Sequence, residues 1–212
     1  MRHLNPLDLF IVQSDHALRT LFGKPTITER ENPSNNTAEN TLSDADRKLS
    51  SSLMRVNHSG EVSAQALYQG QALTAKLDNV RDSMKRAALE ENDHLAWTEQ
   101  RLIELSSQKS ILNPIWYCGS FAIGAAAGLL GDKWSLGFVA ETEHQVIRHL
   151  DEHLARLPAN DARSKSVLTQ MKTDEAHHAT VALESGGAEL PLPVKHLMAA
   201  MSKVMTTSAY YI

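Results

Sequence analysis

Two short stretches of this 212-residue chain carry groups that can do chemistry together. Glu91-Asn-Asp-His94 recurs later as Glu175-Ala-His-His178. On a helix, residues three apart lie about 60° apart around the axis and about 4.5 Å apart along it, so each Glu and its His converge on one point beside the helix. A lone Glu precedes each pair at a similar interval: Glu61 stands 30 residues before Glu91, and Glu143 stands 32 before Glu175. Four carboxylates and two imidazoles from four helices make the ligand set of a bundle that holds two iron or two manganese ions. Such a set points to a metal enzyme that uses oxygen.

The elements that must carry these groups can be read from the apolar stripes. A helix from Ser43 to about Leu77 carries Glu61, with Ser43 as N-cap and Asp44 and Asp46 in its first turn. A second, from about Asn79 to Ser106, has Met84, Ala87, Ala88, Leu95 and Leu102 on the face that holds Glu91 and His94. A helix from about Lys133 to Leu157 carries Glu143 among Leu136, Val139, Ala140, Val146, Ile147 and Leu150. A helix from about Ala162 to Glu184 places Glu175 and His178 with Leu168, Met171, Ala179 and Ala182. Between the halves, Ile111 to Gly131 has no charged residue and many small ones, which suits a helix that packs closely and touches a membrane surface without crossing it. A last helix, about Val194 to Ser208, follows Pro191 and Pro193.

Before Ser43, residues 4–23 could form one short amphipathic helix, and residues 24–42 are polar and aperiodic, which reads as a flexible linker. The domain division is therefore an extension and linker over 1–42 and a helical bundle over 43–212.

Several residues compete for the same roles. Glu141-Thr-Glu-His144 is a third Glu-x-x-His, but Glu141 and Glu143 differ by about 200° around a helix and cannot both face inward. The apolar neighbours choose Glu143 and leave His144 at the boundary. His177 beside His178 is a second ambiguity, with Asp174 and His177 repeating the spacing on a more polar face. Accidental spacing on a solvated helix would explain one Glu-x-x-His, but not two copies on apolar stripes with matching upstream acids. Four buried carboxylates without partners would cost many kcal/mol, or take up protons. Two divalent ions balance them, and hard carboxylates with few imidazoles favour iron or manganese over zinc.

Composition narrows the classes further. A net charge of −4 gives no case for nucleic-acid binding. The single cysteine, Cys118, excludes an internal disulfide and a thiolate metal site, and reads as a small core or interface residue. Leu9-Phe-Ile-Val12 is too short for a secretory leader, and Asp8 and Asp15 argue against a transit peptide, so the expected place is the cytoplasm or a membrane facing it.

Arg55-Val-Asn-His-Ser-Gly-Glu61 with Tyr68-Gln-Gly-Gln71, Glu90-Glu-Asn-Asp-His94, Gly124 to Gly131 followed by Val139-Ala-Glu-Thr-Glu143, and Asp174-Glu-Ala-His-His178 together resemble the demethoxyubiquinone hydroxylases over roughly residues 45–212. The resemblance implies an all-α, ferritin-like four-helix bundle with an added apolar helix between the half-repeats and a C-terminal helix. It implies two iron ions held by Glu61, Glu91, His94, Glu143, Glu175 and His178, some carboxylates bridging. The implied reaction is hydroxylation of a polyprenylated methoxy-methyl-benzoquinol, using molecular oxygen and two external electrons. Implied partners are that quinol, other proteins of ubiquinone synthesis, and the cytoplasmic face of the inner membrane, met through Ile111–Gly131 with residues 194–212 as a second candidate. Tyr210 and Tyr211 either anchor at that surface or fill a packing gap. A rival from another class is an iron-storage or ferroxidase protein, which shares the bundle and ligands. A third is a scaffold whose polar core is salt-bridged.

Overall fold

The computed structural model describes residues 5–25 and 27–212, so Leu4 and Thr26 lie outside the described residues. Among the described residues seven helices follow one another: α1 Pro6–Phe22, α2 Asp44–Thr74, α3 Asp78–Glu104, α4 Asn113–Leu129, α5 Asp132–Arg156, α6 Ala162–Glu184 and α7 Leu192–Tyr211. Among the described residues there is no strand. Side-chain caps set several of the starts. The Ser43 hydroxyl accepts from the Asp46 amide at the head of α2, and Asp161 accepts from the Ser164 amide at the head of α6. The turn between α2 and α3 is held from outside, where the Asp132 carboxylate accepts from the amides of Lys76 and Leu77.

Helices α2, α3, α5 and α6 form the bundle, with α4 and α7 packed against α2 and α1 reaching α2 and α4. Buried apolar side chains gather in three clusters: Val62, Ala66, Leu95 and Tyr117 form a small one between α2, α3 and α4, and the other two are larger. One contains Leu53, Met54, Trp97, Leu102, Leu150, Leu168 and Met171. The other contains Tyr68, Met84, Leu136, Val139 and Ala182. The candidate acids stand between them on each stripe: Glu61 between Met54 and Tyr68, Glu143 between Leu136 and Leu150, and Glu175 between Leu168 and Ala182. Each interval is seven residues, two helical turns, so a single register on these three helices lifts the acids into one polar layer.

Much of the small-residue content of α4 serves packing against α2. A Cβ on Gly124 would lie 2.3 Å from the Leu67 carbonyl oxygen, and one on Gly70 would lie 2.3 Å from that of Phe121. Cys118, expected in a core or interface, is exposed on α4.

The stretch read as a flexible linker is instead tied along the bundle. Asn32 donates to Gln100, Thr37 bonds to Ser166, and Glu39 pairs with Arg101, while Asn32, Ser34 and Leu42 are buried. Its polar composition, which resembles that of a disordered segment, supplies the donors and acceptors that α3 and α6 turn toward it. Arg101 is itself buried, and Glu104, Asp161 and Ser164 complete its partners.

Candidate metal centre

Register brings all six expected residues into the polar layer. Glu61 is 3% exposed, Glu91 1%, His94 0%, Glu143 2%, Glu175 1% and His178 7%. Their ligating atoms form two groups, each within 4.8 Å: Glu61, Glu91, His94 and Glu175, and then Glu91, Glu143, Glu175 and His178. The two groups share Glu91 and Glu175. His94 Nδ1 lies 3.5 Å from a Glu61 oxygen, 3.3 Å from Glu91 and 3.2 Å from Glu175. His178 Nδ1 lies 3.3 Å from Glu91 and 3.0 Å from Glu175.

Of these contacts the one between His178 Nδ1 and Glu175 is a hydrogen bond, and the others are not. Glu61 Oε2, both oxygens of Glu91, and His94 Nδ1 are buried with no hydrogen-bond partner. The crowding shifts the groups in different directions: burial would raise the Glu91 carboxyl, but His178 and His94 hold it well below its usual range. Burial, then the neighbouring Glu91, push the Glu61 carboxyl well above its usual range. Burial, then Glu175 and Glu91, do the same to Glu143. Burial would lower the imidazoles, but Asp174 and the cluster acids raise His94, and Glu175, Glu90 and Glu91 raise His178. Buried acceptors that are crowded, unpartnered and jointly negative fit two divalent cations, and two ions would balance the four carboxylates in full.

The outer edges of both rings are held by acids that spacing alone did not single out as partners. His94 Nε2 meets Asp174 at 2.9 Å, and His178 Nε2 meets Glu90 at 2.5 Å. Each of these acids immediately precedes a cluster Glu, a signal present in the sequence as Glu90-Glu91 and Asp174-Glu175. Tyr68, one heptad beyond Glu61, donates its hydroxyl to Glu143.

The bystanders separate as follows. His144 and His177 are exposed, and Asp174 serves His94 rather than pairing with His177. Glu141 does not join the centre, but neither does it face water: it is 8% exposed, accepts from Gln145, and pairs with Arg148 and Lys195. Helix α7 covers a face whose composition had suggested solvent. Tyr210 packs against the largest apolar cluster with Arg156 over its ring, whereas Tyr211 is exposed.

A cavity of about 440 Å³ opens beside this layer, between α2, α4, α5 and α7. Glu61 lines it together with Ala64, Leu67, Trp116, Ile123, Phe138 and a run of α7 residues that includes three methionines, Met198, Met201 and Met205.

The fold is similar to that of a dodecameric thioferritin related to bacterioferritin from Bacteroides fragilis, with TM-score 0.56 at 17% identity over 65% of this chain and 84% of that one. At that identity the likeness concerns the fold, which is ferritin-like. Sequence relatives are much nearer. A 3-demethoxyubiquinol 3-hydroxylase from Nitrosococcus oceani is 61% identical, covering 100% of this chain and 99% of that protein. The enzyme of the same name from Acinetobacter baumannii is 57% identical over 100% of both. Residues 48–209 match the family described as ubiquinone biosynthesis protein COQ7. With that match spanning the bundle and its polar layer, the chain belongs to the COQ7 family of ubiquinone biosynthesis proteins.

Proposed function

We propose that this chain is a di-iron monooxygenase that hydroxylates a polyprenylated demethoxyubiquinol in ubiquinone biosynthesis. The observation that carries this reading is the apolar cavity whose wall includes Glu61, because it joins the acid and imidazole cluster to a space suited to an isoprenoid quinol. Glu61 and His94 would hold one iron and Glu143 and His178 the other, with Glu91 and Glu175 shared. When bound and reduced by two external electrons, the irons supply the activation of molecular oxygen, one atom entering the ring and the other leaving as water.

The chain's own residues do the rest. The two larger apolar clusters above and below the polar layer keep bulk water from it. Thr142 and His149 are among the polar side chains of the cavity and can orient the quinol oxygens. The methionines of α7 offer an adaptable wall for the tail.

A long-tailed quinol resides in the bilayer, so the cavity has to open toward one. Helices α4 and α7 flank it and carry exposed Ile115, Leu129, Leu130, Leu197, Val204 and Tyr211. Among the described residues no helix is long and apolar enough to cross a membrane. The reading is therefore a peripheral enzyme that lays α4 and α7 on the cytoplasmic face of the inner membrane.

Quinone extraction from cells lacking the chain tests the function. The demethoxy precursor should accumulate and be cleared by the unaltered gene but not by Glu91→Ala. Normal ubiquinone without the chain would overturn the proposal.

A further inference from the structure

Residues 28–30 lie outside the bundle, yet they close the outer edge of the polar layer. The amides of Thr28, Glu29 and Arg30 all point at the Asp93 carboxylate, at 2.6, 3.3 and 3.1 Å, and the Thr28 hydroxyl adds a fourth bond at 2.8 Å. Three successive amides around one buried acid make an anion nest, which sets this segment firmly on α3. The seat aims two neighbouring side chains in different directions. Arg30 Nη1 reaches Asp174 at 2.7 Å, its Nη2 comes within 3.4 Å of His94 Nε2, and its guanidinium lies over the Trp97 ring. Glu29 pairs with Arg86 through both oxygens, and Arg86 Nε donates to Glu90 at 2.9 Å.

The two chains of contact have the same order: arginine, carboxylate, imidazole Nε2. Arg30 holds Asp174 on His94, and Arg86, itself held by Glu29, holds Glu90 on His178. A carboxylate fixed on Nε2 orients the ring so that Nδ1 faces the cluster acids. We propose that Arg30 is a positioning residue for the metal centre, fixing the His94 ring through Asp174 from a segment that contributes no ligand of its own. The proposal rests on the reading of the six residues as metal ligands.

Its test is titration of the metal-free full chain with Co(II), followed by visible absorption and chelator competition. The unaltered chain should bind two ions. Arg30→Gln should weaken one of the two by about 10–100-fold and alter the Co(II) spectrum, the range found when such outer partners are lost. Arg30→Lys keeps the charge but loses the planar fork, so it should fall between. Arg163→Gln is the control, because Arg163 ties the same stretch at Thr37 and Glu39 without approaching either imidazole; it should bind as the unaltered chain does. Equal binding by Arg30→Gln and the unaltered chain would overturn the proposal, as would equal weakening by Arg163→Gln. Failure of the unaltered chain to bind Co(II) would overturn the metal reading itself, and the positioning role with it.

Discussion

Glu90 and His178 stand 88 positions apart in the chain and hydrogen-bond across the bundle at 2.5 Å. Asp174 and His94 repeat the relationship at 2.9 Å, in the opposite direction. Each half-repeat thus supplies the acid that steadies the other half's imidazole. Neither half supplies the Nε2 partner of its own ring, so the centre is complete only when α3 and α6 are docked.

The register of α5 makes the sharpest mutational contrast. Glu143→Ala should abolish hydroxylation and lower iron to about one ion per chain. Glu141→Ala should keep both, while losing the bond to Gln145 within α5 and the pair with Lys195 that joins α5 to α7. A cost of about 1 kcal/mol, or a Tm lower by about 2–4 °C, is expected of it. Iron analysis and a melting curve on each variant check the pair, and a reversed outcome would overturn the assignment of Glu143.

Opposite signs are expected for one substitution in two states. Glu61 Oε2 is buried without a hydrogen-bond partner, and burial, then Glu91, push that carboxyl well above its usual range. Glu61→Gln should therefore raise the Tm of the metal-free chain by a few degrees, since it removes a buried acid that costs about 1–3 kcal/mol to accommodate. It should also remove the gain that iron gives the unaltered chain, about 2.7 kcal/mol at 100 times the dissociation constant. Melting with and without iron distinguishes the two effects.

Burial, with His149 and Arg156 nearby, lowers the His153 imidazole to about 4, and its Nδ1 bonds to Asn57 Oδ1 in the largest cluster. The folded state then binds fewer protons than the unfolded state, whose imidazole titrates near 6.5. This contribution is complete above about pH 6.5 and is lost as pH falls toward 4, at about 1.4 kcal/mol per unit. Denaturant midpoints at pH 7.5, 6 and 5 should fall more steeply for the unaltered chain than for His153→Gln. Parallel curves would exclude His153 as the cause.

Narrowing the cavity should separate substrate access from metal binding. Met198→Trp places bulk in the α7 wall, on a helix that carries none of the six candidate ligands. We expect two irons per chain as before, with kcat/KM for a long-tailed quinol reduced at least about tenfold.

How far the sequence was legible depended on periodicity. Five of the six inward residues were visible because an apolar stripe runs through each of them, and a stripe survives without knowledge of what lies opposite; Glu61, on a partly polar face with His58 and Gln65, was visible from the repeat interval. The segment around Arg30 was not, because Asn, Thr and Glu without a period resemble a disordered stretch until their partners on α3 and α6 are known. Glu141 illustrates the same limit. Its neighbours Gln145 and Arg148 mark a polar face, and only the later arrival of α7 turns that face inward. The paired acids Glu90 and Asp174 were legible in retrospect, since both precede a cluster Glu, but their crosswise use depends on how the helices dock.

The polar layer also divides the protein's interior. With the acids set midway between Met54 and Tyr68 on α2, and again between Leu136 and Leu150 on α5, the two larger apolar clusters remain separate. Oil does not join the two ends of the molecule, so cooperativity between them has to pass along the helix backbones and through whatever neutralises the charges at the waist. Stripping the ions should accordingly loosen one end from the other and broaden the melting transition, beyond merely lowering it.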